Sequence, residues 1–335
     1  MNRVICFGEI MLRLTPFMHQ RLEQSKSFNM DFGGSESNVS AGLAQLGIPV
    51  AYVSRVPDSP LGKSALSSLA QWGVDTSVSV LGGDRLGIYF VELGAGRRPS
   101  RVIYDRKQSG MHSLKPGMID WNVVFRGAAW FHWSGITPSL SASAAAATLE
   151  AINAAREAGL LISCDLNYRT KLWKYGAKPS EIMPALIEAT DVIVGDEDVL
   201  DAYFGLKTDG IDDAFSKLSH RFPNLKYMVL TDRKGLTASH FQYHAYLYCN
   251  GRTYESQKYE LPDVIDRIGS GDAFMSGLIC KLLPSGQNPP DLQKAIEFAT
   301  ACGVYKHYIP GDLNIFTESD IVSLMEGSTG GKVGR

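Results

Sequence analysis

The sequence predicts an α/β fold in which a mainly parallel central sheet is covered by helices on both faces and carries a small β lid. Three observations support this prediction. Short apolar runs, such as residues 4–7 and 160–166, alternate with amphipathic segments that end at glycines. Two extended runs between residues 85 and 107 interrupt the alternation and are typical of a hairpin. A glycine turn at residues 269–271 leads directly into a helix-like segment.

Composition limits the classes of partner and compartment. The 335 residues show no internal repeat and no linker, so a single domain over residues 1–335 is expected. Lysine and arginine (33) nearly balance aspartate and glutamate (35), and this balance predicts no nucleic-acid partner. The sequence contains no run of about 18 apolar residues, so no membrane span is expected. The five cysteines are scattered and lack zinc-site spacing, which predicts reduced thiols in a cytoplasmic protein.

The first elements follow from apolar runs and glycine breaks. Residues 4–7 predict a buried strand that ends at Gly8, and residues 51–56 predict the next strand. Between them a glycine pair at residues 33–34 opens a helix whose apolar face carries Val39, Leu43 and Leu46 and which ends at Gly47. Residues 61–72 predict a second helix, because Ser59 is a suitable cap and a proline follows it.

The glycine pair also allows a ligand to approach the backbone closely. An ordinary tight turn before a helix is the alternative interpretation. A dinucleotide-binding turn is a further alternative, but the spacing here is GG-x3-N rather than GxGxxG, and no acidic residue ends the next strand.

A lid is predicted from parts of residues 11–32 and 85–107. In the second part, Val102, Tyr104 and Arg106 share one strand face by the period-two rule, and Tyr89 and Val91 share a face on the preceding run. A face that carries two tyrosines and an arginine is unusual for a core and suits a cover over a polar ligand. A solvated strand face is the alternative.

The second half of the chain returns to the alternating pattern. Predicted strands and helices follow one another as strand 129–135, helix 141–158, strand 160–166, helix 179–189, strand 191–195, helix 196–204, strand 226–231 and, later, helix 292–305. Asn167, Tyr168 and Arg169 follow the second of these strands, at the edge where open α/β sheets bind ligands. Residues 327–335 are polar and rich in glycine, which predicts a loosely held tail.

The segment at residues 263–283 carries the clearest chemistry. Val264 and Ile265 suit a short strand or extended entry, the glycine turn follows, and a helix begins with Asp272 near its start. Free amides and the helix dipole make such a turn an anion site. An aspartate there repels the anion but can accept a proton from a hydroxyl that attacks a phosphate. The alternative is an ordinary capping aspartate.

Two motifs in this order resemble the signatures of the ribokinase-like (PfkB) carbohydrate kinases: GGSESNVSAGLAQLG at residues 33–47 and DRIGSGDAFMSG at residues 266–277. Within that family the chain looks most like the 2-keto-3-deoxygluconate kinases, over nearly its whole length. The pieces that carry this resemblance include FGEIMLRL (7–14), DLNYR (165–169) and IPGD (309–312). The resemblance implies a ribokinase-like fold and transfer of the ATP γ-phosphoryl group to O6 of 2-keto-3-deoxygluconate.

The resemblance also implies roles for individual residues. Asp272 would be the catalytic base, and Gly269, Ser270 and Gly271 would form the anion hole. ATP, accompanied by Mg²⁺, would meet Asn167, Thr231, Gly235, Gly269 and Gly271. The sugar acid would lie among Gly34, Asn38, Tyr89, Tyr104, Arg106, Arg169 and Asp312. Two arginines suit a carboxylate, which a neutral sugar lacks.

Three departures from the family pattern bear on these roles. Ser270 stands where alanine is usual. The metal-associated Asn-Glu-x-Glu motif is replaced by DEDV at residues 196–199, so no protein ligand for Mg²⁺ is assigned. The usual Thr-Leu-Gly nucleotide loop is replaced by TDRKG at residues 231–235. A fructokinase-like enzyme and a sugar-acid-binding protein without catalysis remain alternatives. The edges of the lid also imply a homodimer or a higher homo-oligomer.

Overall fold

The computed structural model describes residues 3–235, 237, 239–284 and 288–327. Its strands, numbered in chain order, are β1 (Arg3–Phe7), β2 (Met11–Pro16), β3 (Phe28–Gly33), β4 (Val50–Val53), β5 (Arg55–Val56), β6 (Val80–Leu81), β7 (Gly87–Glu92), β8 (Arg101–Asp105), β9 (Ala128–Ser134), β10 (Leu161–Asp165), β11 (Val192–Gly195), β12 (Tyr227–Gly235), β13 (Phe241–Cys249), β14 (Arg252–Glu255) and β15 (Tyr259–Leu261).

The helices alternate with these strands. They are α1 (Ser35–Gln45), α2 (Pro60–Ala70), α3 (Trp121–Val124), α4 (Ala142–Glu157), α5 (Pro179–Ile187), α6 (Glu197–Phe204), α7 (Ile211–Arg221), α8 (Ser270–Leu282), α9 (Leu292–Lys306) and α10 (Glu318–Met325). Within the described part of the chain, none of them combines the length and the apolar character that crossing a bilayer requires.

The main sheet has the strand order β14-β13-β12-β11-β10-β9-β1-β4, and β15 also pairs with β13. The neighbouring strands β4, β1, β9, β10, β11 and β12 are parallel, whereas β13 runs antiparallel to its neighbours. Alternate residues of β1 enter different cores: Val4 and Cys6 pack with α1, α8 and α9, while Ile5 and Phe7 pack with α4, α5 and α6. Helices therefore cover both faces, and the predicted fold class is confirmed.

A separate four-stranded sheet, which we call the lid sheet, has the order β3-β2-β7-β8. Its two antiparallel hairpins, β2–β3 and β7–β8, are joined through a parallel pairing of β2 with β7. Tyr89 lies opposite Tyr104, and their rings stack with centroids 6.0 Å apart. The predicted β lid is thus confirmed, and its outer strand β3 is largely exposed.

One strand prediction was wrong, and of the short strand or extended entry expected at Val264 and Ile265 the strand does not form. The run at residues 51–56 is not one strand, because its backbone turns away at Ser54, whose amide donates to Ser79 Oγ, and β5 pairs instead with β6 in a small third sheet. Val264 and Ile265 form no strand either. They lie in a loop in which the amides of Ile265 and Asp266 donate to the carbonyl of His307, at the end of α9, rather than to a strand.

Other elements differ in length or were not predicted. The strand expected at residues 226–231 continues to Gly235, because β13 pairs with it as far as Phe241. The segment TDRKG (231–235) is therefore strand and not loop. Helices α3, α7 and α10 were not predicted, although α7 buries Phe215 and Leu218 on one face. The tail predicted at residues 327–335 lies outside the described residues from position 328 onward.

Candidate active site

The N-termini of α1 and α8 meet at Asp272. Its carboxylate accepts hydrogen bonds from Ser35 Oγ (2.9 Å) and Asn38 Nδ2 (2.7 Å), both in the first turns of α1. Asp272 is the third residue of α8, and its side chain reaches across to α1 instead of capping its own helix. The interpretation of Asp272 as an ordinary cap is therefore wrong. The two sequence motifs, more than 200 residues apart in the chain, build one site.

The surroundings of Asp272 adjust its proton affinity. Burial and, to a smaller extent, the charge of Asp312 raise the pKa of Asp272 to about 6, against the opposing effect of the hydrogen bonds from Asn38 and Ser35. A carboxyl group with this pKa is mostly ionised at neutral pH, yet it accepts a proton more readily than an ordinary aspartate. These are the properties that a general base needs.

The turn before α8 presents free backbone donors. Gly269 has φ 84°, a left-handed conformation that favours glycine. Among the described residues, the amides of Gly271 and Asp272 have no hydrogen-bond acceptor. With the positive end of the helix dipole behind them, these amides form a site for an anion.

Gly271 is a glycine that the fold itself does not require. A Cβ at this position would meet no atom within 4 Å. In the described helices the other glycines pack closely against neighbours, so that a Cβ would be crowded at Gly42, Gly62, Gly277 and Gly303. The open space beside Gly271 therefore points to a ligand that approaches the turn.

Gly271→Ala should separate stability from activity. The variant should be more stable by about 0.5–1 kcal/mol, because alanine is favoured over glycine within a helix. Its turnover should fall at least about 10-fold, because the methyl group occupies the approach to the free amides. Denaturant unfolding and kcat measurements check the two effects. Ser270→Ala is the matched control, and its kcat should stay within about 2-fold of wild type. Unchanged turnover in Gly271→Ala would exclude the turn from phosphate binding.

Two further carboxyl groups, the buried Glu36 and the partly buried Asp165, lie near Asp272. Glu36 accepts a hydrogen bond from Ser134 Oγ (2.6 Å), and Asp165 ends strand β10. Burial raises the pKa of each to about 7, and the charge of Asp272 contributes to both increases. The site thus holds more negative charge at alkaline pH than at mildly acidic pH.

Activity and stability should change in opposite directions between about pH 5 and pH 8. Turnover should rise as pH passes about 6, where Asp272 becomes a base. The pKa values of Glu36, Asp165 and Asp272 are raised by folding, so the stability that these groups contribute is present below about pH 4 and is lost as pH rises through about 6 to 7. The Tm should therefore fall over this range. In Glu36→Gln the fall should be smaller, and an equal fall in both proteins would contradict this assignment.

Asp312 connects the site to the lid sheet. Its carboxylate accepts hydrogen bonds from Tyr89 Oη (2.5 Å), from Asn38 Nδ2 (3.4 Å) and from the guanidinium of Arg13. A side chain at Gly33 would overlap the carboxylate of Asp312. Asn38, Tyr89 and Asp312, three of the residues predicted to bind the sugar, therefore form one hydrogen-bonded group that reaches Asp272 through Asn38.

Arg106 is buried and already has a carboxylate partner. Its Nε donates to Glu9 Oε2 (2.8 Å), its Nη2 donates to the same oxygen, and Ser109 Oγ donates to the other oxygen of Glu9. The guanidinium lies 5.6 Å from the centre of the Tyr104 ring. Arg106 therefore lies on the predicted face of the lid sheet with Tyr104, but its guanidinium already forms an ion pair with Glu9.

Glu9 contacts several other parts of the site. A Cβ at Gly34 would overlap the carbonyl of Glu9, and a Cβ at Gly87 would lie 2.9 Å from Glu9 Oε1. Gly34 was predicted to let a ligand approach. Its lack of a side chain is already required by the close packing against the backbone of Glu9.

Arg169 is exposed and differs from Arg106 in its partners. It donates only a long hydrogen bond (3.4 Å) to the carbonyl of Tyr168, and no carboxylate of the described residues forms an ion pair with it. Its charge acts to lower the pKa values of Asp165 and Asp272, so it lies within electrostatic range of both carboxyl groups.

Two further arginines were not predicted. Burial lowers the pKa of Arg267, and the charges of Arg233 and Arg169 lower it further, so the three cations lie near one another. Arg267 lies two residues before Gly269 and the turn into α8, and Arg233 lies on β12. The positive charges of these three arginines would attract a triphosphate. The position of Arg267 inside the DRIGSGD motif was the sequence feature that could have indicated it.

The residues predicted to bind the nucleotide fall into two groups. Asn167 (φ 37°) donates through Nδ2 to Ser35 Oγ (3.3 Å), and Ser35 donates to Asp272, so Asn167 lies near Asp272. Thr231 donates to the carbonyl of Gly195 (3.3 Å), and Gly235 ends β12 opposite Phe241. In the described part of the chain, neither Thr231 nor Gly235 forms a hydrogen bond with the turn at α8.

Comparison with known proteins identifies the family. Residues 1–306 match the pfkB family carbohydrate kinases. The chain belongs to this family. It is a pfkB kinase with the ribokinase-like fold and is therefore an ATP-dependent sugar kinase. The catalytic site of such an enzyme must hold a sugar hydroxyl between a base and the γ-phosphate, as the meeting of α1 and α8 allows.

Three relatives illustrate the range of acceptors within the pfkB family. The 2-dehydro-3-deoxygalactonokinase of Haloferax volcanii is 33% identical over 98% of both chains. The crystal structure of 2-dehydro-3-deoxygluconokinase from Thermotoga maritima is 36% identical, with a TM-score of 0.92, and the match covers 98% of this chain and 100% of that one. A probable fructokinase-4 of Arabidopsis thaliana is 27% identical over 97% of both chains.

The carboxylates of this pfkB kinase do not form a metal site by themselves. Among the described residues, no group of three or more histidine, cysteine, aspartate or glutamate side chains is arranged to hold a metal ion. Asp196 caps α6 through a bond from the amide of Val199 (3.0 Å), and Glu197 accepts from Thr208. Mg²⁺ commonly binds to nucleotide phosphates with few protein ligands. The lack of a ligand cluster among the described residues is compatible with Mg²⁺ that arrives bound to the nucleotide.

Proposed function

We propose that this kinase transfers the γ-phosphoryl group of ATP to O6 of 2-keto-3-deoxygluconate. The observation that carries the proposal is Arg169, an exposed arginine within electrostatic range of Asp272 that forms no ion pair with a carboxylate of the described residues. A guanidinium binds a carboxylate through charge-assisted hydrogen bonds. The proposed substrate has a carboxylate at one end and a primary hydroxyl at the other, so binding to Arg169 would direct the hydroxyl toward the base.

In the proposed reaction, Asp272 accepts the proton of the O6 hydroxyl as that oxygen bonds to the γ-phosphorus. The bond between the γ-phosphorus and the bridging oxygen breaks, and ADP leaves with the electron pair. Ser35 and Asn38 hold the carboxylate of Asp272 in place. The free amides of Gly271 and Asp272 stabilise the negative charge of the transferring group. Mg²⁺ would neutralise charge on the nucleotide phosphates.

The lid sheet would cover the sugar. Tyr104 is partly exposed and stacks on Tyr89, so it offers a ring face and a hydroxyl to a ligand below. Asp312 and Asn38 supply hydrogen-bonding groups for sugar hydroxyls. Arg106 would complete the binding of the carboxylate if one of its donors stays free of Glu9.

The names of the relatives support an acidic acceptor and indicate a second candidate. The Haloferax volcanii relative is a 2-dehydro-3-deoxygalactonokinase. Its acceptor has the same carboxylate, keto group and primary hydroxyl as 2-keto-3-deoxygluconate and differs in the configuration of one carbon. Arg169 would serve both acids, so the choice between them depends on the hydroxyl contacts.

A substrate panel tests the proposal. Phosphorylation of 2-keto-3-deoxygluconate, 2-keto-3-deoxygalactonate and fructose should be compared by kcat/KM at saturating MgATP. Both keto acids should exceed fructose by at least about 10-fold, because fructose cannot use the charge-assisted bonds. A preference for fructose would overturn the substrate assignment, and ATP-independent binding of the acid without turnover would favour a non-catalytic binding protein.

We also propose that two copies of the chain associate through their lid sheets. Phe28 and Met30 on the outer strand β3 are exposed, as are Phe17 and Met18 in the β2–β3 hairpin. An exposed strand edge with apolar side chains is a site for pairing. Light scattering on wild type and on Met30→Lys would decide the matter, since a monomer at working concentration in wild type contradicts the proposal.

A further inference from the structure

Arg13 is a buried cation on strand β2 of the lid sheet. It is 1% exposed, and its Nη2 lies 2.5 Å from Asp266 Oδ2. Its Nη1 donates to Asp312, and its Nε donates to Thr15 Oγ1 (2.9 Å). Burial opposes the charge of Arg13, but the two carboxylates outweigh burial and raise its pKa. The guanidinium therefore stays charged and divides its donors between two loops.

Asp266 and Asp312 lie on the loops that shape the phosphate-binding turn. Asp266 Oδ1 accepts from the amide of Ile268 (3.0 Å), one residue before Gly269, and Oδ2 accepts from the amide of Gly311 (3.2 Å). The carbonyl of Asp312 packs so closely on Gly269 that a Cβ there would overlap it. The conformation of the turn thus depends on the positions of both aspartates.

A second cation lies under the same turn. Lys306 is fully buried, and its Nζ donates to the carbonyl of Ile309 (3.0 Å). Its Cε lies 3.3 Å from the point that a Cβ on Gly269 would occupy. Arg13 and Lys306 therefore balance the two buried carboxylates, and Arg13 alone of these four side chains comes from the lid sheet.

The same hydrogen-bonded group also reaches the base. Asp312 accepts from Asn38 Nδ2, and this Nδ2 donates to Asp272. A shift of Asp312 would therefore change the position of Asn38 and the hydrogen bonding of the base.

We propose that Arg13 is a positioning residue for phosphoryl transfer, which fixes the phosphate-binding turn and the base relative to the lid sheet. Its fork of donors can bind two carboxylates at once, as a lysine ammonium at the end of a flexible chain cannot do with the same geometry. The inference depends on the kinase activity of the chain but not on which sugar acid is the acceptor.

Arg13→Lys tests the proposal with the charge preserved. We expect kcat per folded molecule to fall about 10- to 100-fold, because small displacements of reacting groups are costly. The KM for the acceptor should change less than kcat, since Arg13 would act on the acceptor only through Asp312 but on the turn through both aspartates. Arg85→Lys is the matched control: Arg85 binds Asp105 through two bonds of 2.8 Å near the end of the lid sheet, away from the turn. Its kcat should match wild type.

Asp266→Asn provides an independent variant if Arg13→Lys does not fold. Asparagine retains an acceptor for the amide of Ile268 and removes the charge that binds Arg13, so kcat should again fall, by about 10-fold. The acceptor is whichever compound wild type phosphorylates best, so failure of the keto-acid assignment leaves this test intact. Wild-type kcat in the folded variants, or a loss confined to KM, would overturn the proposal and leave Arg13 a purely structural residue.

Discussion

Asp272→Asn should lower kcat by at least about 10²-fold, the usual scale for loss of a general base. The amide cannot accept the hydroxyl proton. Its single oxygen can still accept from Asn38, and the hydroxyl of Ser35 can turn to accept from its nitrogen, because the two residues meet different oxygens of Asp272. Binding of ATP and of the sugar acid should therefore persist. Calorimetric binding together with single-turnover kinetics measures the two effects separately.

The same substitution should stabilise the protein at pH 7. Folding raises the pKa of Asp272 from 3.8 to about 6, and this rise corresponds to roughly 3 kcal/mol of unfavourable charge burial at neutral pH. The gain should disappear below about pH 4, where aspartate is protonated in both states. Asp213→Asn on the surface is the control and should leave kcat unchanged. Near-wild-type turnover in Asp272→Asn would remove Asp272 from the role of base.

Arg169→Ala should raise the KM for 2-keto-3-deoxygluconate by about 10- to 150-fold, because one charge-assisted hydrogen bond is worth roughly 1.5–3 kcal/mol. The KM for ATP and the kcat/KM for fructose should change little. Lys171→Ala, at an exposed lysine two residues further on, is the matched control. A rise in the KM for ATP alone would instead assign Arg169 to the phosphates, with Arg233 and Arg267.

Arg106→Ala should raise the KM for the keto acid by a similar factor, but it should also lower the stability of the protein. Removal of its guanidinium leaves the buried carboxylate of Glu9 without its ion partner. Thermal unfolding therefore separates Arg106 from Arg169, whose loss should leave Tm nearly unchanged. The two effects on KM need not add, since one carboxylate would bind both arginines. An unchanged Tm in Arg106→Ala would contradict the importance of the Glu9 pair.

Local sequence patterns predicted the parts of the site that lie within one helix turn. The order of glycine turn, Asp272 and apolar stripe is visible in DRIGSGDAFMSG because a helix places its first residues and its buried face at fixed spacings. The strands of the main sheet were predicted for a similar reason, since burial on both faces demands continuous apolar runs.

Long-range polar contacts could not be predicted in this way. Arg13 binds partners 253 and 299 residues away, and Arg106 is captured by Glu9 at a separation of 97 residues. No periodic pattern records such pairings. The end of β12 was missed because Thr231 to Gly235 are polar, and their strand conformation comes from pairing with β13 rather than from burial.

The position of Glu9 has a consequence for the exchange of ligands. The chain passes between the lid sheet and the rest of the protein four times, and Glu9 lies at all four passages: it precedes β2, lies against Gly34 after β3, contacts Gly87 at the start of β7 and binds Arg106 after β8. A rotation of the lid sheet about this point would leave its β2–β7 ladder intact, but it would have to break the bonds of Arg13 with Asp266 and of Tyr89 with Asp312. A product release that uses this rotation would depend for its rate on those contacts as well as on the ion pair of Glu9 with Arg106.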